Sequence, residues 1–152
     1  MHGVVVYVRC EFEDISCPKQ KIRRLAGAIC RRFGLANATV SIAIVGNRHI
    51  RKLNTRFLNR KTVTDCLAFD LSEHNDGHRW FELVVNGERA KSQAARRGHA
   101  AQAELALYVT HGLLHNLGFD DRLPAQAQKM HRLEDEILQQ QGFGPVYDKT
   151  AK

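Results

Sequence analysis

The sequence predicts an α+β domain in which one four-stranded mixed sheet packs against about five helices. Two observations lead there. Runs rich in β-branched and aromatic residues recur four times, and apolar residues at three-and-four spacing mark helices between and after them. The resulting order, β-α-β-α-β-β-α-α-α, gives strands enough for one sheet and helices to cover it.

The first strand is VVVYVRCEF, residues 4–12. KQKIRRLAGAICRRFGL follows, with Ile22, Leu25, Ala26, Ile29 and Phe33 at helical spacing and Gly34 as the closing residue. Arg24, Arg31 and Arg32 fall on its opposite side, a solvated face that can also meet phosphate. ATVSIAIVG, residues 38–46, is the second strand. NRHIRKLNTRFLN, residues 47–59, sets Ile50, Leu53 and Phe57 at helical spacing behind Asn47 as cap. DCLAFDLS (65–72) and WFELVVN (80–86) are the third and fourth strands, joined by EHNDGH, a turn by composition whose His74 and His78 read as exposed loop residues. The remainder is helical at roughly 87–97, 99–117 and 125–141. In the last helix Met130, Leu133, Ile137 and Leu138 form the apolar stripe, and the acidic run at 134–136 reads as surface.

With 152 residues, 43% hydrophobic and 26% charged, the chain reads as one globular domain over 1–152 that can bury a real core. No apolar run approaches bilayer length. The first residues reach acid after a few apolar positions and offer no small-residue cleavage site, so they read as strand rather than signal peptide. Cys10, Cys17, Cys30 and Cys66 contain no C-x-x-C pair and read as reduced thiols, mostly small core residues. Lysine and arginine outnumber aspartate and glutamate by 23 to 16, a formal charge of +7, which favours polyanionic partners such as nucleic acid. Arg24, Arg31, Arg32, Arg60, Lys91, Arg96 and Arg97 are the cations singled out for phosphate contact.

THGLLHNLGFDD, residues 110–121, carries the chemistry. Residues four apart share a helical face, so His111 and His115 can offer imidazole nitrogens to one ion. Their neighbours Leu105, Leu107, Val109, Leu113, Leu114 and Leu117 are apolar, which makes this a buried helix. Two buried histidines without a metal would each need a hydrogen-bond partner. Gly118 can end the helix and turn the chain back, letting Asp121 approach the ion from a third direction while Asp120 ties the turn. Two histidines and a carboxylate leave a coordination position open, as in catalytic zinc sites, although the geometry also suits non-haem iron.

HGLLHNLGFDD closely resembles the H-G-x-L-H-L-x-G-Y-D-H signature of the YbeY family of metal-dependent endoribonucleases. LNTRFLNRKTVTDCLAF resembles that family's L-N-x-x-Y-R-x-K-D-x-P-T-D-V-L-S-F segment. ELVVNGERAKSQAARRGH resembles its D-I-V-I strand and the Q-A helix after it, and MHRLEDEILQQQGF resembles its M-x-x-x-E-x-x-I-L ending. The resemblance implies a cytoplasmic, zinc-dependent, single-strand-specific endoribonuclease holding one Zn2+ per chain. It further implies action on ribosomal RNA precursors of the small ribosomal subunit, in 16S 3′-end maturation and ribosome quality control. It carries the metal-ligand roles onto His111, His115 and Asp121.

The sequence departs from the family at telling positions. The family's third histidine is Asp121, and its arginine is Leu58. Its Gly-Asp before the fourth strand is Phe81-Glu82, and its proline before T-D is Val63. A carboxylate ligand makes the ion more electron-rich and a bound water less acidic. Phosphodiester cleavage also profits from a second cation; Leu58 cannot supply one, and Arg60 is the expected substitute on the RNA. No catalytic acid or base is assigned. Two other readings remain: a metal-bearing ribosome- or RNA-binding protein weakened in catalysis, favoured by Leu58 and Asp121, and a metallopeptidase. The peptidase reading lacks its general base, because Gly112 stands where a zinc peptidase has glutamate.

Overall fold

The structure, a computed structural model, describes residues 3–58, 64–73 and 77–147. In chain order its elements are β1 (Gly3–Cys10), α1 (Lys19–Arg32), β2 (Asn37–Val45), α2 (Asn47–Leu58), β3 (Cys66–Asp70), β4 (Arg79–Asn86), α3 (Gly87–Arg97), α4 (Ala101–Asn116) and α5 (Pro124–Gln140). The strands lie in the order β1-β2-β4-β3; β1, β2 and β4 are parallel, and β3 runs antiparallel to β4. This is the mixed α+β architecture expected from the sequence.

Boundaries differ by one or two residues at most elements, β3 being the shorter Cys66–Asp70, and two of the differences have clear local causes. β1 stops at Cys10, although the Glu11 amide still donates to the Ile44 carbonyl at 2.8 Å. α4 begins at Ala101 rather than 99, because Gly98, left-handed at φ 73°, closes α3, and the Gly98 and His99 amides both return to the Ala94 carbonyl. The expected cap also differs. The Asn47 side-chain oxygen accepts from Asn86 Nδ2 at 2.7 Å, so it ties two elements together at the start of α2.

Alternation along the strands builds two unequal faces. Val8, Ile42, Leu83 and Ala68 form one row across the sheet, with Cys10, Ile44, Val85 and Cys66 in the next. These rows join the main core with α1 and α4. On the opposite face Ala43, Val45, Leu67 and Val84 are closed by Ile50 and Leu53 of α2. α4 crosses the inner face between the sheet, α1, α3 and α5, which explains its lack of a polar side. From Ala103 to Leu114 every residue of α4 is buried except His111.

Asn86 fixes the edge of the future site. Its side chain accepts from the Arg89 amide at 2.9 Å to cap α3, and donates to Asn47 and to the Thr64 carbonyl. Its own amide donates to the Asp65 carbonyl at 2.8 Å. One buried side chain therefore sets α2, α3 and the approach to β3 relative to one another.

Candidate metal centre

The centre grows from the last turns of α4. Gly112 lets that helix lie close on β3 and β4: a Cβ there would stand 2.7 Å from Cys66 Sγ and 3.1 Å from Leu83 Cδ2. After Asn116 the helix closes as a Schellman turn, with Phe119 N donating to the Leu114 carbonyl at 3.0 Å and Gly118 left-handed at φ 101°. The turn returns Asp121 to the face carrying both histidines. Asp120 ties it, as expected, accepting from the Asp121 amide at 2.7 Å and from Arg122 Nε at 2.6 Å.

His111 Nε2 and His115 Nε2 lie 3.0 Å apart, with Asp121 carboxylate oxygens 3.5 Å from the first and 3.6 Å from the second. The other nitrogen of each ring is already engaged. His115 Nδ1 lies 3.0 Å from the Phe119 carbonyl and His111 Nδ1 lies 2.8 Å from Glu134 Oε2. A carbonyl and a carboxylate can only accept, so both Nδ1 atoms are donors. In neutral rings both Nε2 lone pairs then converge on a carboxylate, an arrangement that demands a cation. Tetrahedral zinc with bonds near 2.1 Å needs donors about 3.4 Å apart; each imidazole nitrogen has an Asp121 oxygen near that distance, Oδ2 for His111 and Oδ1 for His115, and the two nitrogens stand somewhat closer. The residues fit the ion.

Without the metal, a proton can serve in its place. Burial opposes charging of His111, but the hydrogen bond and charge of Glu134, with Asp65 and Asp121 behind them, outweigh it and hold the pKa above the ordinary histidine value.

The acidic run at 134–136 is not surface, contrary to expectation. Glu134 is fully buried and orients His111, Asp135 accepts the Val146 and Tyr147 amides at 2.7 and 3.0 Å, and only Glu136 reaches outward, to Arg32. Glu134 lies on the same face of α5 as Met130, Ile137 and Leu138, and that was the signal available in the sequence: an acid within the apolar stripe. A carboxylate behind a ligating histidine fixes its tautomer and raises its basicity.

An open cleft of about 670 Å³ lies over the three donors. Thr64, Asp65 and Cys66 form one wall, and Asn54 and Leu58 of α2 form another. Leu58, standing where the family resemblance puts an arginine, is 48% exposed at this rim. Burial pushes the Cys66 thiol well above its ordinary pKa, so it stays protonated. Arg60, the expected RNA contact, lies outside the described residues, as do Lys61, Val63 and His74. Two other expected phosphate contacts are engaged: Arg32 with Glu136, and Arg97 with buried Glu104 at 3.1 Å. His78 bonds to Thr39 and packs on Trp80, away from the metal donors.

The family model described as Endoribonuclease YbeY matches residues 8–142. The chain belongs to the YbeY family. A relative named Endoribonuclease YbeY from an Anaeromyxobacter species is 38% identical over 125 residues, covering 82% of this chain and 65% of that one. The chain thus spans just under two thirds of that relative's length. The protein of the same name from Anaeromyxobacter dehalogenans is 32% identical over 141 residues, 92% of this chain and 73% of the relative. That from Desulfitobacterium hafniense is 29% identical over 155 residues, 91% and 99%. The fold is also that of a Thermotoga maritima protein solved in solution, with TM-score 0.60 at 20% identity over 95% of this chain and 96% of the other. Among the described residues lining the cleft, Asp121 and Leu58 are the departures from the YbeY signature that change charge.

Proposed function

We propose that this YbeY-family chain is a zinc-dependent endoribonuclease specific for single strands. In this reading His111, His115 and Asp121 hold one Zn2+ per chain. The substrate is a ribosomal RNA precursor of the small ribosomal subunit, cut at the 16S 3′ end and during ribosome quality control, in the cytoplasm. The observation that carries it is the convergence of two imidazole lone pairs and a carboxylate at an open cleft, each ring held from behind. A bound zinc ion supplies Lewis acidity toward a phosphoryl oxygen. The chain's own contribution is to fix the donors: Glu134 and the Phe119 carbonyl set the tautomers, and the Gly118 turn delivers Asp121. Asp65 adds a carboxylate to the cleft wall. Among the described residues no helix is long and apolar enough to cross a membrane, and no membrane partner is proposed.

The metallopeptidase reading loses support at Gly112. A glutamate there would start with its Cβ 2.7 Å from Cys66 Sγ and 3.1 Å from Leu83 Cδ2, against the sheet. A second reading, a metal-bearing ribosome- or RNA-binding protein weakened in catalysis, is favoured by Leu58 at the rim, where it puts an apolar side chain in place of a cation. Arg60 stays the proposed compensating contact. Incubating the zinc-loaded protein with single-stranded RNA, duplex RNA and casein, with and without chelator, tests the proposal. Chelator-sensitive cleavage of the single strand alone is expected. Metal retention without cleavage favours the binding protein, and cleavage of casein would restore the peptidase.

A further inference from the structure

α2 reads NRHIRKLNTRFL, with Arg48, Arg51, Lys52 and Arg56 and no acidic residue. All four cations are exposed, and among the described residues none of them forms an ion pair. Glu11 and Glu88 line a depression with Arg48 and Lys52, but Glu11 pairs with Arg9 and Glu88 accepts from the Asn47 amide at 3.0 Å, so neither forms an ion pair with these four cations. Spacings of three and four residues put the cations side by side on one face, where like charges repel. Arg48 also sits in the first turn, at the positive end of the helix dipole. This arrangement is unfavourable in the isolated chain and is relieved by a polyanion.

Position selects the polyanion. Asn54 and Leu58 of the same helix line the metal cleft. Arg51 lies two turns before Leu58 on one line of the helix, and Asn54 lies between them. From there the cations run to the solvent side, lining a shallow depression with Thr55 and spanning roughly 12 Å of helix axis from Arg48 to Arg56. α1 is also basic, but Arg32 is paired with Glu136 and α1 contributes nothing to the cleft wall. On the opposite side of α2, Ile50 and Leu53 pack on the sheet.

We infer that the exposed cationic face of α2 binds the phosphodiester backbone of single-stranded RNA on one side of the strand lying in the metal cleft. The inference rests on the endoribonuclease reading for its choice of polyanion. It places the main phosphate contacts on α2, a helix that contributes none of the cations singled out from sequence.

The test compares two double variants that remove equal charge from exposed positions: Arg51→Gln/Lys52→Gln on α2 and Lys19→Gln/Lys21→Gln on α1. Binding of a labelled oligouridine about 16 nucleotides long is measured on the full zinc-loaded chain as salt is varied. Each lost phosphate contact lowers the log–log salt slope by about 0.7, so the α2 pair is expected to lower it by about 1.4 and to weaken low-salt binding about tenfold. The α1 pair is expected to shift affinity less than about twofold. Thermal unfolding checks both variants, and the α2 pair should melt no lower than wild type, since it removes like-charge repulsion. Equal losses from the two pairs would mean a diffuse charge effect and overturn the inference, as would a wild type that binds no RNA. So would an α2 pair that loses binding to phosphatidylserine vesicles but keeps its RNA affinity, which would identify a membrane-facing helix. Cleavage is followed separately. A wild type that binds RNA through α2 but cuts nothing sinks the endoribonuclease reading and leaves this inference standing; cleavage with no selective α2 effect does the reverse.

Discussion

Gly112 stands in the middle of α4, where alanine would ordinarily stabilise a helix by about 1 kcal/mol. Here the sign should reverse. The new Cβ would lie 2.7 Å from Cys66 Sγ, closer than real Cβ atoms come, and 3.1 Å from Leu83 Cδ2. Both neighbours belong to the sheet, so relief requires α4 to lift or the Cys66 side chain to turn. Overpacking of this kind costs about 1–3 kcal/mol, enough to exceed the helix gain. We expect Gly112→Ala to lose about 1 kcal/mol net and to weaken zinc binding, because any lift of α4 moves His111 and His115. Adding Cys66→Ala removes the closest contact, and the double variant should recover most of both losses, a coupling of about 1–2 kcal/mol. Urea unfolding with chelator present isolates packing from metal linkage, and a competition titration reads zinc affinity. Gly112→Ala as stable as wild type with unchanged zinc affinity would refute the claim that close packing on the sheet sets the spacing of the site.

The ligand set makes its own demands. His111→Ala or His115→Ala should abolish metal retention in elemental analysis, and Asp121→Ala should weaken it. Asp120→Ala should instead lower the melting temperature through the turn; exchanged behaviour of the two aspartates would displace Asp121 as third ligand. Glu134→Gln replaces the buried acceptor of His111 and should weaken zinc binding about 10–100-fold, read by competition with a chelating dye. An unchanged affinity would reduce Glu134 to a packing role. Leu58→Arg restores a rim cation, and at matched metal occupancy should speed single-stranded RNA cleavage by up to about a hundredfold, more with Asp121→His added. No gain from a folded, metal-loaded Leu58→Arg would mean that another cation, Arg60 foremost, already serves.

The sequence was most legible where period and chemistry coincided. The four strands, the five helices and the pairing of His111 with His115 follow from alternation and from i, i+4 spacing, and Gly118 announced the turn that returns Asp121. Glu134 was hidden because an acid flanked by acids, Asp135 and Glu136, looks like a solvated face. Its burial depends on where α5 meets α4, a tertiary fact that no local window contains. The role of Gly112 was hidden for the same reason: its closest neighbours, Cys66 and Leu83, come from distant strands. The α2 cations were passed over because their helix was read for its apolar stripe, and only the position of Leu58 at the cleft gives the opposite face a destination. Conversely, Arg32 and Arg97 looked free in sequence and proved to be bound to carboxylates supplied by α5 and α4.

One ion held at these three residues is proposed to make the chain a nuclease. The direct measurement is the rate of single-stranded RNA cleavage as zinc is titrated into metal-free protein, with bound zinc quantified in the same samples. The expected curve rises from no cleavage and saturates at one zinc per chain, and it stays flat for His115→Ala. Cleavage by metal-free wild type, or equal cleavage by His115→Ala, would contradict the account.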